Sequence, residues 1–556
     1  MPTITLNKNR ILDLLGKKIP DEVLKDRISY LGTDLEEITK ENIVVEIFPN
    51  RPDLLSEEGF ARALKTFMGF DSGLKKYSAK KSSYQVVVQK DVKEIRPYTA
   101  CVVVKNLKLN EEKLLNIIAI QEKLHVTYGR NRKRCAIGVY PLTKISFPIT
   151  YTALKPEEIK FVPLGENKSF TGTQILKQHK TGKEYGYLLE NKPKFPVFID
   201  SKNQILSMPP IINSEQTGKV DVKTKEVFIE CSGFNFNVVS KAINMLSTAF
   251  ADMGGELFEV KVKYDSKTEI TPSFVPEQMY LEQDYVSKYL GTHLKSTEII
   301  KLLKKMGFDA EGNTKINVSI PSYRTDVLHP IDLVEDIVIA YGFENIKEDP
   351  QRPSTTGKEL FIEKLKRKIR EILIGTQYIE IFNFSLINSE EQKQLKLKNV
   401  VKIKNSLSSE YDSLRKSLIP SVLRTYKSNK HYEYPQFFFE IGTIFMKNEK
   451  KDTLVEEQNS LCISACGENV SFTTIKQELD SLLNSFNVEY SLIRVKEEIY
   501  IEGRSAKIIV NKEEIGCVGE IHPNVLNHFE IDFPISILEI DVDKLSRIIQ
   551  EKILEL

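Results

Sequence analysis

The sequence predicts an α+β multidomain protein. The chain has 556 residues, which at roughly 150 residues per domain corresponds to about three to five domains. Strand-like runs such as ACVVVKNL and helical runs such as EEKLLNIIAIQEKLH follow one another irregularly, without the regular alternation of a βαβ array. The content of 41% hydrophobic and 28% charged residues is typical of globular chains and excludes a mostly disordered or fibrous protein.

Composition also limits the class of function. Lys+Arg 79 against Asp+Glu 77 gives a formal net charge of +2, so there is no overall signature of nucleic-acid binding, although local basic patches could still contact RNA. No stretch approaches the ~18 apolar residues of a membrane span, and the start MPTITLNKNR has no apolar run typical of a signal peptide. We therefore expect a cytoplasmic protein without a membrane partner. The six scattered cysteines are expected to be free thiols.

Turn-rich and polar stretches divide the chain. The Lys/Ser-rich segment 74–83 and the segment KEDPQRPSTTGKE at 347–359 have the composition of linkers. Between them, the mixed pattern of 84–264 gives way to a compact unit with helical patterns at 282–290 and 296–306. A helix is predicted from 360 to 374, followed by alternating strands and helices.

The segment SYRTDVLHPIDLVEDIVIAYGF, at 322–343, carries the sharpest local signal. Pro330 suits the first turn of a helix and Gly342 its C-terminal end. Asp332, Glu335 and Asp336 then share one helix face, and Asp326 precedes the helix. Four carboxylates suit Mg²⁺, which prefers hard oxygen ligands. From spacing alone, acids that simply favour the positive end of the helix dipole are the preferred explanation.

Two further segments invite a functional interpretation. The turn NSEQTG between two apolar runs could present Asn213, Glu215 and Thr217 to a pocket, or could be an ordinary surface turn. The run YGRNRKR at 128–134 could contact RNA phosphates, or could be a solvated loop. The sequence lacks GxxxxGK[ST], HExxH and GxSxG motifs, so it shows no evident nucleotide hydrolase, zinc protease or serine hydrolase.

Several segments, in order along nearly the whole chain, resemble the β subunit of phenylalanyl-tRNA synthetase in its shorter archaeal and eukaryotic form. They are FPNRPDLLSEEGFARAL (48–64), GRNRKRCAIGVYPLTKI (129–145), PPIINSEQTGKV (209–220), IPSYRTDVLHPIDLVEDIVIAYGFENI (320–346), EIFNFSLIN (380–388), NSLSSEYDSLRKSLIPSVLRTYKSNK (405–430), FFFEIGTIF (437–445) and GEIHPNVLNHFEI (519–531). No single short motif has to carry the match.

The resemblance implies four modules. They are an N-terminal packing domain at 1–83, a B3/B4-type tRNA editing domain at 84–264, a B5-type magnesium-binding domain with a winged-helix-like core at 268–347, and a class II synthetase catalytic-like antiparallel-sheet module at 355–556. In the last module FFFEIGTIF resembles the strand of motif 2, but no arginine follows GCVGEIHP where motif 3 needs one. This implies a non-catalytic copy that packs against a separate α subunit, which carries the synthetic active site.

The resemblance also implies function and site residues. The α and β subunits would form an α2β2 tetramer that binds tRNA(Phe), ATP and phenylalanine and attaches phenylalanine to the tRNA. Asp326, Asp332, Glu335 and Asp336 match the magnesium ligands of the family. A phenylalanine pocket rejects an added hydroxyl only about a hundredfold, so mischarged tyrosyl-tRNA(Phe) must be hydrolysed.

In NSEQTG, Glu215 resembles the glutamate of the family that recognises tyrosine, and Asn213, Ser214 and Thr217 are candidates to orient water. Archaeal members often read YDLDKI where this chain has YPLTKI at 140–145, so Pro141 and Thr143 replace two acids near the expected pocket. This departure keeps open a purely structural and tRNA-binding subunit with an inactive editing site. A third alternative, a metal-dependent hydrolase or phosphotransferase built on the carboxylates, lacks a neighbouring nucleophile or phosphate-binding loop.

Overall fold

The computed structural model describes residues 2–554, with side chains up to residue 552. It forms two compact units, Met1–Asp349 and Pro350–Leu556. The division falls within 347–359, where the backbone forms neither helix nor strand. The linker predicted from its prolines, glycine and polar residues is therefore confirmed as the boundary between the two units.

The first part of unit one is a three-stranded antiparallel sheet in the order β1-β3-β2 with three helices. Its third helix begins where the Ser56 hydroxyl accepts a hydrogen bond of 2.9 Å from the Gly59 N–H, which satisfies a helix N-terminal donor. The elements are β1 (Thr3–Asn7), α1 (Lys8–Leu15), α2 (Asp21–Tyr30), β2 (Asp34–Ile38), β3 (Asn42–Glu46) and α3 (Glu57–Phe67).

The second part contains a seven-stranded mixed sheet, β12-β11-β10-β7-β4-β15-β16, and a four-stranded antiparallel sheet, β14-β5-β13-β6. The strands are β4 (Gln85–Val88), β5 (Tyr98–Lys105), β6 (Cys135–Pro141), β7 (Ile149–Leu154), β8 (Lys160–Phe161), β9 (Phe170–Thr171), β10 (Phe195–Ile199), β11 (Ile205–Met208), β12 (Ile212–Asn213), β13 (Val227–Gly233), β14 (Glu256–Phe258), β15 (Val260–Lys263) and β16 (Thr268–Thr271). The helices are α4 (Glu111–Val126), α5 (Gly172–Gln178), α6 (Lys180–Tyr185), α7 (Glu215–Gly218) and α8 (Phe236–Asp252).

Strand β13 is buried on both faces, and its side chains belong to a different hydrophobic core on each side of the sheet. Ile229 and Cys231 belong to the core that includes residues of α8, such as Ile243. Phe228, on the opposite face, packs in a second core with Tyr140. Because successive side chains of a strand point to opposite faces, Glu230 shares the face of Phe228.

The third part is an antiparallel sheet in the order β17-β19-β18 with three helices. The last helix begins at Pro330 and ends before Gly342, whose φ is 93°, so both predicted ends are confirmed. The helices predicted at 282–290 and 296–306 are also present. The elements are β17 (Glu277–Glu282), α9 (Gln283–Leu290), α10 (Ser296–Lys305), β18 (Asp309–Gly312), β19 (Lys315–Ile320) and α11 (Pro330–Tyr341).

Unit two is built on a seven-stranded sheet in the order β20-β23-β24-β28-β27-β26-β25, antiparallel except for the parallel pair β20 and β23. The strands are β20 (Ile379–Glu380), β21 (Leu386–Ile387), β22 (Ser413–Leu414), β23 (Gln436–Lys447), β24 (Val455–Cys466), β25 (Ser491–Arg494), β26 (Tyr500–Val510), β27 (Glu513–Ile521) and β28 (Ile535–Asp541). The helices are α12 (Phe361–Gly375), α13 (Ser389–Gln394), α14 (Ile419–Ser428), α15 (Phe472–Ser485), α16 (Pro523–His528) and α17 (Val542–Leu554). An α+β multidomain architecture is thus confirmed.

A buried ion pair lies against the sheet of unit two. Arg415, which follows β22, pairs with Glu440 of β23, and their side chains are 2% and 0% exposed. Arg415 Nε also donates to the Thr443 carbonyl at 2.9 Å. A Cβ at Gly442 would lie 2.2 Å from Arg415 Nη2, so glycine makes room for the guanidinium on this strand.

Removing one partner of this pair should destabilise unit two strongly. We expect Glu440→Ala to cost about 3–5 kcal/mol, because it leaves the Arg415 charge buried without its counter-ion. Hydrogen exchange of the amides of β23 and β24 measures the loss. The matched control Glu514→Ala removes an exposed pair with Lys507 and should cost less than about 1 kcal/mol. Equal effects of the two substitutions would contradict the expectation.

Candidate functional site

A cavity of about 240 Å³ lies in the second part of unit one, where α4, β6, β11, β12 and the middle of β13 approach one another. This volume is below the range of about 300–1,000 Å³ that is typical of drug-sized ligands, so the cavity suits a group of amino-acid size. Apolar side chains form much of the wall, namely Leu114, Ile117, Ile118, Val139, Ile211 and Ile212. The polar groups that reach the cavity include Gln121, Ser207, Asn213 and Glu230.

Glu230 supplies a buried carboxyl group to this cavity. The residue is only 2% exposed. Its Oε1 lies 3.1 Å from the Tyr140 hydroxyl, which also lies 2.7 Å from Ser207 Oγ and 3.4 Å from Asn213 Oδ1. Its Oε2 has no hydrogen-bond partner among the described residues. A ligand with a hydroxyl group would therefore gain a hydrogen bond that the empty cavity leaves unmade.

Burial has the largest effect on the pKa of Glu230. Desolvation raises its pKa to about 8, although the hydrogen bond with Tyr140 and the charge of Arg96 act in the opposite direction. The carboxyl group is therefore largely protonated at neutral pH in the empty cavity. Such a perturbed acid inside a cavity is a mark of a functional site.

The backbone of β6 opposite Glu230 leaves space for the carboxyl group of Glu230. In the register of β13 with β6, Glu230 pairs with Gly138. A Cβ on Gly138 would lie 2.2 Å from the Tyr140 hydroxyl oxygen and 2.5 Å from Glu230 Oε1. Glycine at this position is thus required for the close approach of Tyr140 and Glu230.

The structure separates the four residues that the NSEQTG turn was predicted to bring together. Asn213 lines the cavity, whereas Ser214 and Thr217 are buried beside β11. The Ser214 N–H donates to the Leu206 carbonyl at 2.8 Å, and the Thr217 hydroxyl lies 3.5 Å from the same oxygen.

Glu215 is not among the residues that line the cavity. Its carboxylate accepts hydrogen bonds of 2.8 Å from the Gly165 N–H and from Lys219 Nζ. These two contacts lower the pKa of Glu215. Lys219 does line the cavity, so Glu215 contributes by fixing Lys219 at the rim. Glu230, which lies in strand β13 rather than in the turn, is a buried carboxyl group that lines this cavity.

His125 also lines the cavity, but both of its ring nitrogens are engaged. Nε2 accepts a hydrogen bond of 2.8 Å from the Ile137 N–H, so the ring proton lies on Nδ1, 3.2 Å from Glu122 Oε1. Burial lowers the pKa of His125, which keeps the ring neutral. These contacts give His125 a structural role in connecting α4 to β6.

The basic run divides into inward and outward side chains. Arg132 is buried, donates to the Ile211 carbonyl at 2.9 Å and pairs with Glu122 at 3.1 Å. Arg130 and Lys133 are exposed. The interpretation of the whole run as a solvated loop is therefore wrong for Arg132. Pro141 and Thr143, at which the resemblance suggested a departure from the family, are not among the residues that line the cavity.

Two of the four acids predicted as magnesium ligands, Asp326 and Asp336, pair with Arg324. Its guanidinium donates to Asp326 at 2.8 and 2.7 Å and to Asp336 at 2.7 Å. Asp332 accepts from the Leu328 and His329 N–H groups at 2.8 and 2.7 Å and so caps α11.

Electrostatic repulsion remains within this cluster. Partial desolvation and the neighbouring acids raise the pKa of Glu335, whose side chain is largely exposed and makes no hydrogen bond or ion pair among the described residues. The four acids and Asp53 outnumber the two guanidinium groups, Arg324 and Arg51, that act on them, and carboxylates are the donors that a hard cation prefers. In the arrangement described, however, residues 2–554 contain no group of three or more His, Cys, Asp or Glu side chains positioned to hold a metal.

The position of Glu230 makes stability depend on pH in a defined direction. Between its ordinary pKa of 4.5 and its raised value of about 8, the folded chain retains a proton that the unfolded chain has released. The free energy of unfolding must therefore fall as pH rises through this window. We expect Glu230→Gln to abolish a decrease on the order of a few kcal/mol, measured by hydrogen exchange in β13 at pH 5 and pH 8.

The control for this measurement is Glu215→Gln. Glu215 is partly exposed and its pKa is lowered rather than raised, so its replacement should leave the decrease between pH 5 and pH 8 in place. An unchanged decrease in Glu230→Gln would show that Glu230 does not titrate in this range.

Comparison with known proteins assigns each part of the chain. Family models match at residues 1–70 (Phe-tRNA synthetase beta subunit B1 domain), 80–250 (B3/4 domain), 279–343 (tRNA synthetase B5 domain) and 347–542 (Phenylalanyl tRNA synthetase beta chain CLM domain). Among the described residues, no helix is both long and apolar enough to cross a membrane. All six cysteines are free, as predicted.

Curated relatives match over the full length. The phenylalanine–tRNA ligase beta subunit of Pyrococcus horikoshii is 36% identical over 98% of this chain and 100% of its own length. That of Archaeoglobus fulgidus is 36% identical over 98% of both chains. A crystal structure of an N-terminal fragment of the Pyrococcus horikoshii β subunit is 38% identical and covers 62% of this chain and 100% of the fragment, with a TM-score of 0.59. This chain therefore belongs to the family of archaeal-type phenylalanine–tRNA ligase β subunits.

Proposed function

We propose that this chain is the editing and supporting subunit of a phenylalanine–tRNA ligase and that it hydrolyses tyrosyl-tRNA(Phe) in the cavity around Glu230. The observation that carries the proposal is the buried carboxyl group of Glu230, with one oxygen unpaired, in a mainly apolar cavity of about 240 Å³. A tyrosine side chain places a phenol at such a group. Phenylalanine would leave the group without its hydrogen bond, which costs binding energy.

The reaction requires one water molecule. Water attacks the ester carbonyl, the bond to the terminal ribose oxygen breaks, and tyrosine and free tRNA are released. Because hydrolysis of an activated ester depends on positioning, the polar side chains at the wall take that role. Asn213 is our candidate from the predicted set, and Gln121 is a second, since its Nε2 is fixed by a 2.8 Å bond to the Ile137 carbonyl. We assign Ser214 and Thr217 to support of the wall.

This proposal changes the assignment of the tyrosine-recognising residue from Glu215 to Glu230. Glu215 is held by Gly165 and Lys219, whereas Glu230 reaches the cavity. The location of Pro141 and Thr143 outside the cavity lining also removes the main argument for an inactive editing site. That alternative, a subunit that only supports the complex and binds tRNA, predicts that no hydrolysis occurs.

Deacylation of tyrosyl-tRNA(Phe) by the reconstituted complex tests the assignment. We expect Glu230→Ala to lower kcat/KM by roughly 10- to 100-fold, the equivalent of one hydrogen bond to a carboxyl group. The matched control Glu215→Ala should change it less than about threefold, since an exposed contact at the rim contributes little. The reverse pattern would restore Glu215 as the recognition residue. Absence of hydrolysis by the wild type, with phenylalanylation intact, would support the structural alternative.

We further propose that the complex is an α2β2 tetramer in the cytoplasm, in which the α subunit binds ATP and phenylalanine and performs synthesis. Phe382 and Phe384, which follow the edge strand β20, are 89% and 73% exposed. Large exposed apolar side chains of this kind mark interaction surfaces, and we assign this one to the α subunit.

Asp326, Asp332, Glu335 and Asp336 are proposed to hold Mg²⁺, which would neutralise their mutual repulsion and stabilise the start of α11. The support is the excess of carboxylates over the guanidinium groups of Arg324 and Arg51, since Arg51 is already paired with Asp53. In this role the ion is structural, and no step of ester hydrolysis passes through it.

Mn²⁺ is a suitable probe for this site, because the ion bound to protein can be counted by electron paramagnetic resonance. We expect the full chain to bind one Mn²⁺ that Mg²⁺ displaces, and Glu335→Gln to weaken binding at least about tenfold, since affinity follows the number of charged ligands. Glu344→Gln, an exposed acid beyond the end of α11, is the control. No binding by the wild type, or equal weakening in both variants, would refute the site.

A further inference from the structure

An open groove of about 660 Å³ lies next to the cavity and combines cations with aromatic rings. Its basic side chains are Arg130, Lys133 and Arg134. Its aromatic side chains, Tyr187 and Phe234, are 57% and 52% exposed. Exposed rings interleaved with cations are the elements that bind single-stranded nucleic acid, since the rings stack on bases and the cations contact phosphates.

A buried arginine in the floor of the groove, Arg96, packs beneath the ring of Phe234. Arg96 is only 2% exposed, and its guanidinium carbon lies 5.3 Å from the centre of the Phe234 ring. The same guanidinium donates to the carbonyls of Ser232 at 2.8 Å and of Arg132 at 3.2 Å. Phe234 therefore has a fixed support beneath it, although half of its surface is in contact with solvent.

The basic loop is held in an unusual conformation. Arg130, Asn131 and Arg132 have φ values of 50°, 52° and 63°, a left-handed conformation that is unfavourable for residues other than glycine. Backbone hydrogen bonds hold the loop, including Arg132 N–H to the His125 carbonyl at 3.0 Å and Arg134 N–H to the Gly129 carbonyl at 2.7 Å. Strained backbone of this kind persists where the surrounding structure supports it, often at functional sites.

The groove and the cavity share a wall. Pro210 lines both of them. Arg132 connects them, because its carbonyl accepts from Arg96 in the floor of the groove while its guanidinium donates to the Ile211 carbonyl at the cavity. A molecule lying in the groove thus has one end directly beside the cavity.

We propose that this groove binds the unpaired nucleotides at the 3′ end of the tRNA whose ester is hydrolysed in the cavity. The inference rests on the proposed editing function and adds the subsite that would hold the nucleic-acid part of the substrate. Tyr187 and Phe234 stack on bases, and Arg130 and Lys133 contact phosphates. The terminal ribose then lies at the Pro210 wall, with its tyrosyl ester inside the cavity.

Kinetics of the reconstituted complex separate a binding role from a catalytic one. The double variant Tyr187→Ala/Phe234→Ala should raise the KM for tyrosyl-tRNA about tenfold or more, because each stack contributes substantially to binding, and should leave kcat within twofold. Tyr289→Ala, an equally exposed tyrosine in the third part of unit one, is the matched control. An unchanged KM, or the same increase in the control, would overturn the proposal.

Charge substitution gives a second test without removal of a ring. Lys133→Gln should weaken tRNA binding to the complex and reduce the slope of log affinity against log salt by about one. Lys202→Gln, an exposed lysine on a turn after β10, should leave the slope unchanged. Equal slopes for wild type and Lys133→Gln would show that no phosphate is contacted there.

Cross-linking makes this proposal testable even if the editing function fails. A photoreactive phenylalanine analogue at position 187 in the complex should cross-link to the last four nucleotides of tRNA. The same analogue at position 289 should not cross-link to them. Cross-links from position 187 only to other parts of the tRNA would refute the subsite, whatever the deacylation assay shows. Terminal cross-links without deacylation by the wild type would retain the subsite and refute only editing.

Discussion

Arg324 and Arg415 are guanidinium groups with almost no solvent exposure, and each is neutralised by carboxylates from its own unit. A buried charge without such a partner would cost several kcal/mol, so these pairs constrain the loops that carry them. Arg324 connects the segment before α11 to the helix itself through Asp326 and Asp336. Glu230 is buried to a similar degree but forms no ion pair in the part of the chain that the structure describes. A ligand that donates a hydrogen bond to Glu230 would therefore stabilise a group that the protein leaves partly unsatisfied.

Local signals in the sequence were sufficient for much of the fold. Pro330 and Gly342 correctly gave the ends of α11, and the prolines of 347–359 gave the boundary between the two units. These predictions succeed because caps and breakers act within a few residues. The order of strands in the two sheets of the second part could not be predicted in this way, since it depends on pairings between distant segments such as β5 and β14.

In the candidate site, too, local features of the sequence were predicted and contacts between distant segments were not. Asn213 was found because a polar turn between apolar runs is a local feature. Glu230 was missed because a single acid within VFIECSG looks like an ordinary strand residue, and its partner Tyr140 is 90 residues away in the chain. Glu215 looked more suitable in the sequence, but its carboxylate pairs with Lys219, which directly follows the short helix α7. Arg132 was likewise indistinguishable in sequence from its exposed neighbours.

Gly138 determines how much space is left beside Glu230. The space beside Glu230 exists because the facing residue has no side chain at all, and even a methyl group would collide with the Tyr140 hydroxyl. At other positions of a pocket, substitution by a slightly smaller or larger residue changes the pocket volume gradually. At position 138 no smaller residue exists, and every larger residue would collide with Tyr140 and Glu230. A change in the size of the accepted amino acid therefore cannot come from position 138 and has to come from other residues of the wall, such as Val139, α4 or the segment between β11 and β12.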